Sequence, residues 1–267
     1  MAVLQFLGTQ AYPRTGEPVH LRLEDGTEQL LVDCGPNIVS TYDALEQPLT
    51  SVTDLFITHT HADHALGVPY FLLGHYLTRI GALTENPAET TRPLTIRCDR
   101  DTFEAVETLL EVVTPGFDVL MGDGAATVEP TAPGDTFTVG DVSVTVLEAD
   151  HAVTTQGLLL EGDRRVVYTS DTTYSPALAD AVGDADVVIH ESMYLEDEAD
   201  LARELKHGTA REAGRFAAEV GAGALFLVHL ADRYGNTANA RDRFKTEASA
   251  VFSGDVTVPE QFDELSV

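Results

Sequence analysis

Apolar and β-branched runs recur along the chain between Gly, Pro and Asp breaks, and their spacing predicts strands and helices in alternating groups. Val3–Leu7, Val19–Leu23 and Leu30–Asp33 read as strands, the last two joined by a turn at Glu24–Gly26. Asp54–Thr58 is a short strand of the fully buried type that runs straight into His59. Leu66–Gly81 and Asp101–Val113 read as helices, with a strand, Leu94–Cys98, between them. Gly- and Asp-containing turns from Pro115 to Gly140 separate that half from the strand Val142–Leu147. Gly157–Glu161 and Val166–Thr169 form a hairpin turning at Gly162–Asp163. In the last third, strands Val187–His190 and Ala224–His229 alternate with helices near Pro176–Val182, Thr209–Val220 and Thr237–Val251, and Val256–Val258 reads as a final strand. Two β-rich halves, each followed by helices, imply an α+β arrangement of two sheets packed face to face with helices outside. No linker or low-complexity segment divides the chain, so one domain over residues 1–267 is expected.

Composition narrows the class. A hydrophobic content of 43% supports a packed core and excludes wholesale disorder. The longest apolar stretch, Leu66 to Leu77, is broken by Gly67, Pro69, Gly74 and His75, and falls short of the roughly 18 residues a membrane span needs. Met1–Gly8 lacks a basic lead and reads as a strand rather than a signal peptide. With only Cys34 and Cys98, a disulfide framework is excluded, and both are expected as buried free thiols. Together these features predict a cytoplasmic protein without membrane association.

The charge is extreme, with 44 acids against 16 bases and a net −28. The bases are 14 Arg and only two Lys, Lys206 and Lys245, and the acids run along the whole chain instead of gathering in a tail. Dispersed acid with scarce lysine reads as a halophilic surface, since at about 1 M salt the Debye length shrinks to about 3 Å and self-repulsion is screened. Taken alone, −28 argues against a nucleic-acid substrate.

His59-Thr60-His61-Ala62-Asp63-His64 changes that picture. Three imidazoles and a carboxylate within six residues are costly to crowd together unless a cation draws them in. His59 and His61, two apart, can face one ion while Asp63 and His64 turn to a second. Neutral imidazole and carboxylate suit zinc, with manganese or iron as alternatives.

This segment resembles the HxHxDH signature of the metallo-β-lactamase superfamily, whose fold is a four-layer αβ/βα sandwich with its site at the rim. The resemblance implies two Zn2+ per chain (or Mn2+ or Fe2+), with His59, His61 and His151 on one ion, Asp63, His64 and His229 on the other, and Asp171 bridging. His151 follows Val142–Asp150, Asp171 follows Val166–Ser170 and His229 ends Ala224–Val228, so all three stand at strand ends. A narrower resemblance lies in Asp186–Glu191, Lys206-His-Gly-Thr-Ala-Arg-Glu-Ala213 and Val228-His-Leu-Ala-Asp-Arg-Tyr234, which look like the ribonuclease Z group. There a His in an H-x-T context precedes the last metal His; here His207 and His229 hold those places. Leu7-Gly-Thr9, Asp33-Cys-Gly35 and Gly67-Val-Pro69 fit as well.

That group implies cleavage of phosphodiester bonds in RNA 3′ ends, other RNA or small phosphodiesters by a metal-bound hydroxide, in a homodimer. Two metals about 3.5–4 Å apart clamp a phosphate oxygen in an in-line displacement. Asp63 would orient or deprotonate the water, His207 would protonate the leaving alkoxide from an accessible helix start, and Glu191 would hold His207 in the right tautomer. Thr209 reads as a helix cap. One departure is the Gly/Pro-rich exosite arm with which such enzymes grip tRNA: only 19 residues separate His151 from Asp171, enough for a hairpin. Arg233, Arg241, Arg243 and Lys245 place four of the sixteen bases within thirteen residues, either to receive phosphates or as helix charge interleaved with Asp242 and Glu247. Glu196–Asp200 reads as a solvated helix face, and Tyr234 is the aromatic placed nearest the site. The competing readings are a hydrolase of the same fold acting on a sulfate ester, thioester or lactone, and a metal-binding protein without turnover.

Overall fold

The computed structural model describes residues 1–11, 16–83, 93–114 and 126–267, and among these the strands form two seven-stranded sheets. The first runs β14-β1-β2-β3-β4-β5-β6, with β1 Val3–Gly8, β2 His20–Asp25, β3 Glu28–Val32, β4 Asp54–Phe56, β5 Leu94–Cys98, β6 Ala126–Pro130 and β14 Glu264–Ser266. The second runs β13-β12-β11-β10-β9-β8-β7, with β7 Thr136–Val139, β8 Val142–Ala149, β9 Thr155–Glu161, β10 Arg165–Tyr168, β11 Val187–Glu191, β12 Ala224–Val228 and β13 Asp255–Thr257. Strands β3 to β6 are mutually parallel, as are β10 to β13, and the remaining pairs are antiparallel.

Period-two alternation explains the layers. Leu4 and Phe6, Leu30 and Val32, and Phe56 from the first sheet meet Val144 and Val146, Leu158 and Leu160, Val166 and Tyr168 from the second in one buried cluster. Residues between them point outward. Leu7, Leu31 and Leu55 pack under α1 Ile38–Ala44, α3 Val68–Arg79 and α4 Arg100–Val113. Leu159, Val167 and Val188 pack under α5 Pro176–Val182, α7 Ala210–Glu219 and α8 Ala238–Ser249. Both faces of each sheet are covered, which is why the strands read as near-continuous apolar runs. The result is the α+β four-layer sandwich anticipated from the sequence. Cys34 and Cys98 are buried free thiols. Among the described residues no helix is long and apolar enough to cross a membrane.

Several elements differ from the sequence reading. The helix expected over Leu66–Gly81 is α3, but a separate turn of helix not expected from the sequence, α2 Ala62–Ala65, precedes it, and the two are broken at Gly67, where the chain is pressed against the Cys34–Gly35 turn. Gly67 N donates to Cys34 O at 2.8 Å, and a Cβ on Gly67 would lie 2.0 Å from Gly35 O. Of the turns expected over Pro115–Gly140, residues 115–125 lie outside the described residues, and the rest contains β6 and β7. Both are edge strands with mostly solvated side chains, so they lack the apolar run that marks the others. The short α1 and β14 were not anticipated either, whereas the helix face read at Glu196–Asp200 is a 3-10 turn, Glu196–Glu198, that leads into α6 Ala199–Glu204.

His75 lies on the inner face of α3, 3% exposed. Burial lowers its pKa from 6.5 to about 4; a hydrogen bond to the Val52 carbonyl opposes the shift, and the charge of Arg79 adds to it. A neutral ring in the fold with an ordinary ring in the unfolded chain gives stability that is complete above pH 6.5 and is lost as pH falls toward 4. At pH 5 the loss is about 2 kcal/mol. Urea unfolding at pH 7 and pH 5 should show His75→Gln losing less stability over that interval than wild type; equal losses would contradict the assignment.

Candidate metal centre

The side chains of the site arrive from strand ends in both sheets. Strand β4 leads through Ile57 and Thr58 to His59, β8 through Asp150 to His151, β10 through Thr169 and Ser170 to Asp171, and β12 directly into His229. The loop after β4 adds His61, Asp63 and His64 around α2. Ser170 and His229 have φ of 56° and 59°, a left-handed backbone that swings the residue at the strand end into the rim.

Asp171 is the centre of the arrangement. Its Oδ2 lies 3.3 Å from His229 Nε2, 3.6 Å from His64 Nε2, 3.7 Å from His59 Nε2, 3.9 Å from His151 Nε2 and 4.0 Å from His207 Nδ1. His61 Nδ1 is 3.2 Å from His151 Nε2, and Asp63 Oδ2 is 3.4 Å from His229 Nε2 and 3.6 Å from His64 Nε2. Three ligand sets fall within 4.8 Å: His59, His61, His151 and Asp171; Asp63, His64 and His229; and Asp171, His207 and His229. The structure thus brings together all the predicted metal-site residues. His59 Nε2, His64 Nε2 and Asp171 Oδ1 are buried without a hydrogen-bond partner. Unpartnered buried polar atoms cost roughly 1–3 kcal/mol each. Three of them converging in a nitrogen and carboxylate donor set fit a divalent cation.

Outer contacts fix which nitrogen faces inward. Asp33, fully buried and left-handed at φ 66°, accepts His64 Nδ1 at 2.7 Å, Thr58 N at 2.8 Å and Thr58 Oγ1 at 2.9 Å. With its proton given to Asp33, Thr58 Oγ1 accepts from His59 Nδ1 at 3.0 Å. The network therefore places a proton on Nδ1 of both His59 and His64 and leaves both Nε2 atoms aimed at the cluster. His151 Nδ1 donates to the Lys206 carbonyl at 2.7 Å, with the same consequence. Burial pushes the pKa values of His59, His61 and His151 down. For His64 burial works the same way, but Asp171 and Asp33 on either side raise it well above the ordinary value. Burial likewise opposes charge on Asp171, yet His229 and His64 hold its carboxyl far below the usual range.

His207 stands on the turn before α7, where Thr209 caps the helix and forms a capping box with Glu212. Its Nδ1 donates to Glu191 Oε1 at 2.9 Å, and Glu191 also accepts from Thr172 N and Met193 N. At 9% exposed His207 is less accessible than a helix start suggests, because the rings of His151 and His229 flank it at 4.8 and 5.3 Å. Burial would lower its pKa, but Glu191 first and then Asp171 and Asp63 raise it to about 9. The basic run contributes less than its sequence implied: Arg233 pairs with Glu198, Arg241 with Glu260, and Arg243 comes within 4.0 Å of Asp197. Tyr234 packs edge-on against Phe244 and its hydroxyl bonds Glu198, so it braces the acidic segment.

Asp33 and Lys206 have contacts in the site that their sequence positions did not disclose. A carboxylate directly after the apolar run Leu30–Val32, on a strand paired with the one that feeds His59, was the available signal for Asp33.

Comparison with known proteins places these features. The family model described as Beta-lactamase superfamily domain matches residues 28–230. Ribonuclease Z of Synechococcus sp. strain CC9311 is 30% identical, over 92% of this chain and 93% of its own length. Ribonuclease Z of Halorubrum lacusprofundi is 27% identical over 320 aligned positions, covering 98% of this chain and 96% of the relative. Among solved structures, the metallo-β-lactamase fold protein YhfI from Bacillus subtilis superposes with a TM-score of 0.80 at 23% identity, covering 99% of this chain and 98% of that one. The short form of human tRNase Z gives 0.71 at 21% identity, covering 100% and 99%.

Asp33→Asn keeps the shape of the side chain and tolerates the left-handed backbone, but removes the charge that orients His64. Divalent-ion affinity, measured by competition with a chromophoric chelator, should fall roughly 10–100-fold with the far-UV spectrum unchanged. Wild-type affinity in this variant would show that Asp33 does not set the ligand geometry.

Proposed function

The chain belongs to the β-lactamase superfamily and to its ribonuclease Z-like group, and from that premise we propose that it is a binuclear zinc-dependent phosphodiesterase. Its substrates on this reading are RNA 3′ ends, other RNA or small phosphodiesters, and it works in the cytoplasm as one catalytic domain over residues 1–267. The observation that carries the reading is Asp171 ringed by imidazoles with the His207–Glu191 pair beside it, since a structural site has no use for an acid–base histidine. His59, His61 and His151 would hold one ion, Asp63, His64 and His229 the second, and Asp171 both. Such ions supply Lewis acidity toward the phosphoryl group and lower the pKa of water.

The chain's own groups handle the protons. Asp63 is held as a carboxylate, its burial outweighed by the contacts with His229 and His64, and would orient the water or take its proton. As the water oxygen bonds phosphorus, the P–O bond to the leaving alkoxide breaks, and His207, protonated at neutral pH, delivers a proton to that oxygen. With Nδ1 engaged by Glu191, Nε2 is the nitrogen free to do so.

The span from His151 to Asp171 is filled by β9, the Gly162–Asp163 turn and β10, which leaves no room there for an exosite arm. The alignment with the Halorubrum protein runs over 320 positions against 267 residues, so that relative carries segments this chain lacks. Unstructured RNA, single-stranded ends or small phosphodiesters therefore fit better than folded precursor tRNA. The proposed homodimer would use α3. Leu66, Tyr70, Ile80 and Leu83, within α3 or just beside it, are about half or more exposed in a stretch without an acid between Asp63 and Glu85, which lowers the repulsion a second copy of a −28 chain would meet there.

Purified in about 1 M KCl, where surface charge is screened, the protein should bind two zinc ions per chain and scatter light at twice the chain mass. It should cleave an aryl phosphodiester and an unstructured RNA better than a precursor tRNA with a 3′ trailer. Turnover of an aryl sulfate, a thioester or a lactone instead, or two zinc ions with no phosphodiester cleavage, would sink the reading. His207→Ala should lower kcat about 100-fold or more on an alkyl leaving group and much less on a nitrophenyl one; equal losses would remove the general-acid role.

A further inference from the structure

Among the described residues, six other than glycine have a left-handed backbone, and four of them, Asp33, Ser170, Lys206 and His229, lie at the metal centre. Backbone strain gathered at one place points to function. Asp33 orients His64, Ser170 turns Asp171 inward and His229 is itself in the cluster. Lys206, at φ 61°, has no part in the chemistry proposed above.

Lys206 closes α6. Its N donates to Arg203 O at 3.3 Å and the next residue, His207, donates to Ala202 O at 2.9 Å, the bond pair of a helix that ends in a left-handed residue. Glycine is the usual occupant of that position, because a Cβ makes the left-handed backbone costly. Here the position holds one of the only two lysines in the chain. The exchange of an easy residue for a strained one implies that the side chain is needed.

Its contacts show where. Lys206 Nζ donates to Asp150 Oδ1 at 3.0 Å, and Thr173 Oγ1 donates to Asp150 Oδ2 at 2.7 Å. The backbone of Asp150 is tied to the same segment, donating to Thr172 Oγ1 and accepting from Thr173 N. Asp150 therefore joins the turn after Asp171 to the turn before His207. One residue further along each strand of this clamp, His151 Nδ1 donates to the carbonyl of Lys206 at 2.7 Å, and His207 reaches Glu191. Lys206 and Asp150 are each about half exposed, so the pair adds little to stability. What it fixes is direction.

We propose that Lys206 is a positioning residue: its ammonium clamps Asp150, so that its own carbonyl sets the tautomer and aim of His151 while His207 is held against Glu191. The part concerning His207 rests on the phosphodiesterase reading; the part concerning His151 does not.

Lys206→Gly tests this with a result that a merely structural role would not give. Glycine relieves the left-handed strain, so the thermal midpoint of the variant should equal or exceed that of wild type. Zinc affinity, by chelator competition, should nevertheless fall about tenfold or more. On an aryl phosphodiester kcat should fall with KM little changed. Lys206→Arg, which can still reach Asp150, should recover most of the zinc affinity, and Asp150→Asn should reproduce the loss without adding to it in the double variant. Wild-type zinc affinity in Lys206→Gly overturns the proposal, as does a drop in thermal midpoint that accounts for the lost affinity. A raised KM with zinc affinity intact also overturns it, since Lys206 would then be a substrate contact. If wild type cleaves no phosphodiester while Lys206→Gly still loses zinc, the clamp stands and the reaction assignment falls.

Discussion

An ionised carboxylate that is only 2% exposed governs this molecule. Removing Asp171 from water is expensive, and the five imidazole nitrogens within 4.0 Å of its Oδ2 offset that expense only where a proton or a cation lies between them. No single element can supply so many. The ring is assembled from the ends of β4, β8 and β12 and from the turn before α7, which belong to different sheets, so it exists only when the two sheets are packed in register. The core contacts between Phe6 and Phe226 and between Phe56 and Phe137 set that register from below. Packing energy from the sandwich thus holds together groups that would repel or hydrate if left alone.

Support for the ring is itself covalently economical. The segment Asp33-Cys34-Gly35 clasps the loop that carries His61 to His64: Cys34 N donates to His64 O at 2.6 Å, and Gly35 N donates to His20 Nε2 at 2.8 Å. A Cβ on Gly35 would lie 2.1 Å from Asp63 O, so the approach requires glycine. Two residues before it, a left-handed aspartate is kept where glycine would be easier, at a cost of about 1–2 kcal/mol, because its carboxylate orients His64 and, through Thr58, His59. Glycine is used where backbones must touch, and strained side chains where a ligand must be aimed.

The sequence disclosed these features unevenly, for physical reasons. His59 to His64 was legible because its ligands are local, while His151, Asp171 and His229 came through the family resemblance, with their places at the ends of strand-like runs in agreement. The four layers followed from the same runs. β6 and β7 were not legible: at the edges of their sheets they bury one face at most, and Thr127, Glu129, Thr136 and Thr138 read as turn residues. The break at Gly67 depends on a contact with Cys34, more than thirty residues away, which no periodicity carries. Lys206 was hidden for a similar reason, since its two bonds both reach across to Asp150 and His151. Arg233, Arg241 and Arg243 were misleading in the opposite sense, as their sequence clustering said nothing about Glu198, Glu260 and Asp197 beside them in space.

Those pairings decide how a −28 chain can act on an anion. Among the described residues, Arg22, Arg97, Arg165, Arg203, Arg233, Arg241 and Lys206 each sit within ion-pair distance of an acid, so much of the scarce basic charge is already neutralised at the surface. Long-range attraction of a polyanion therefore has few free cations to draw on, and in dilute salt the remaining field is repulsive. Affinity for phosphate would have to come from the buried cluster itself, over a range of a few ångströms, through the cations its side chains could hold. High salt suits such a site: it screens the surface field, which works against encounter, far more than it screens contacts in the buried rim.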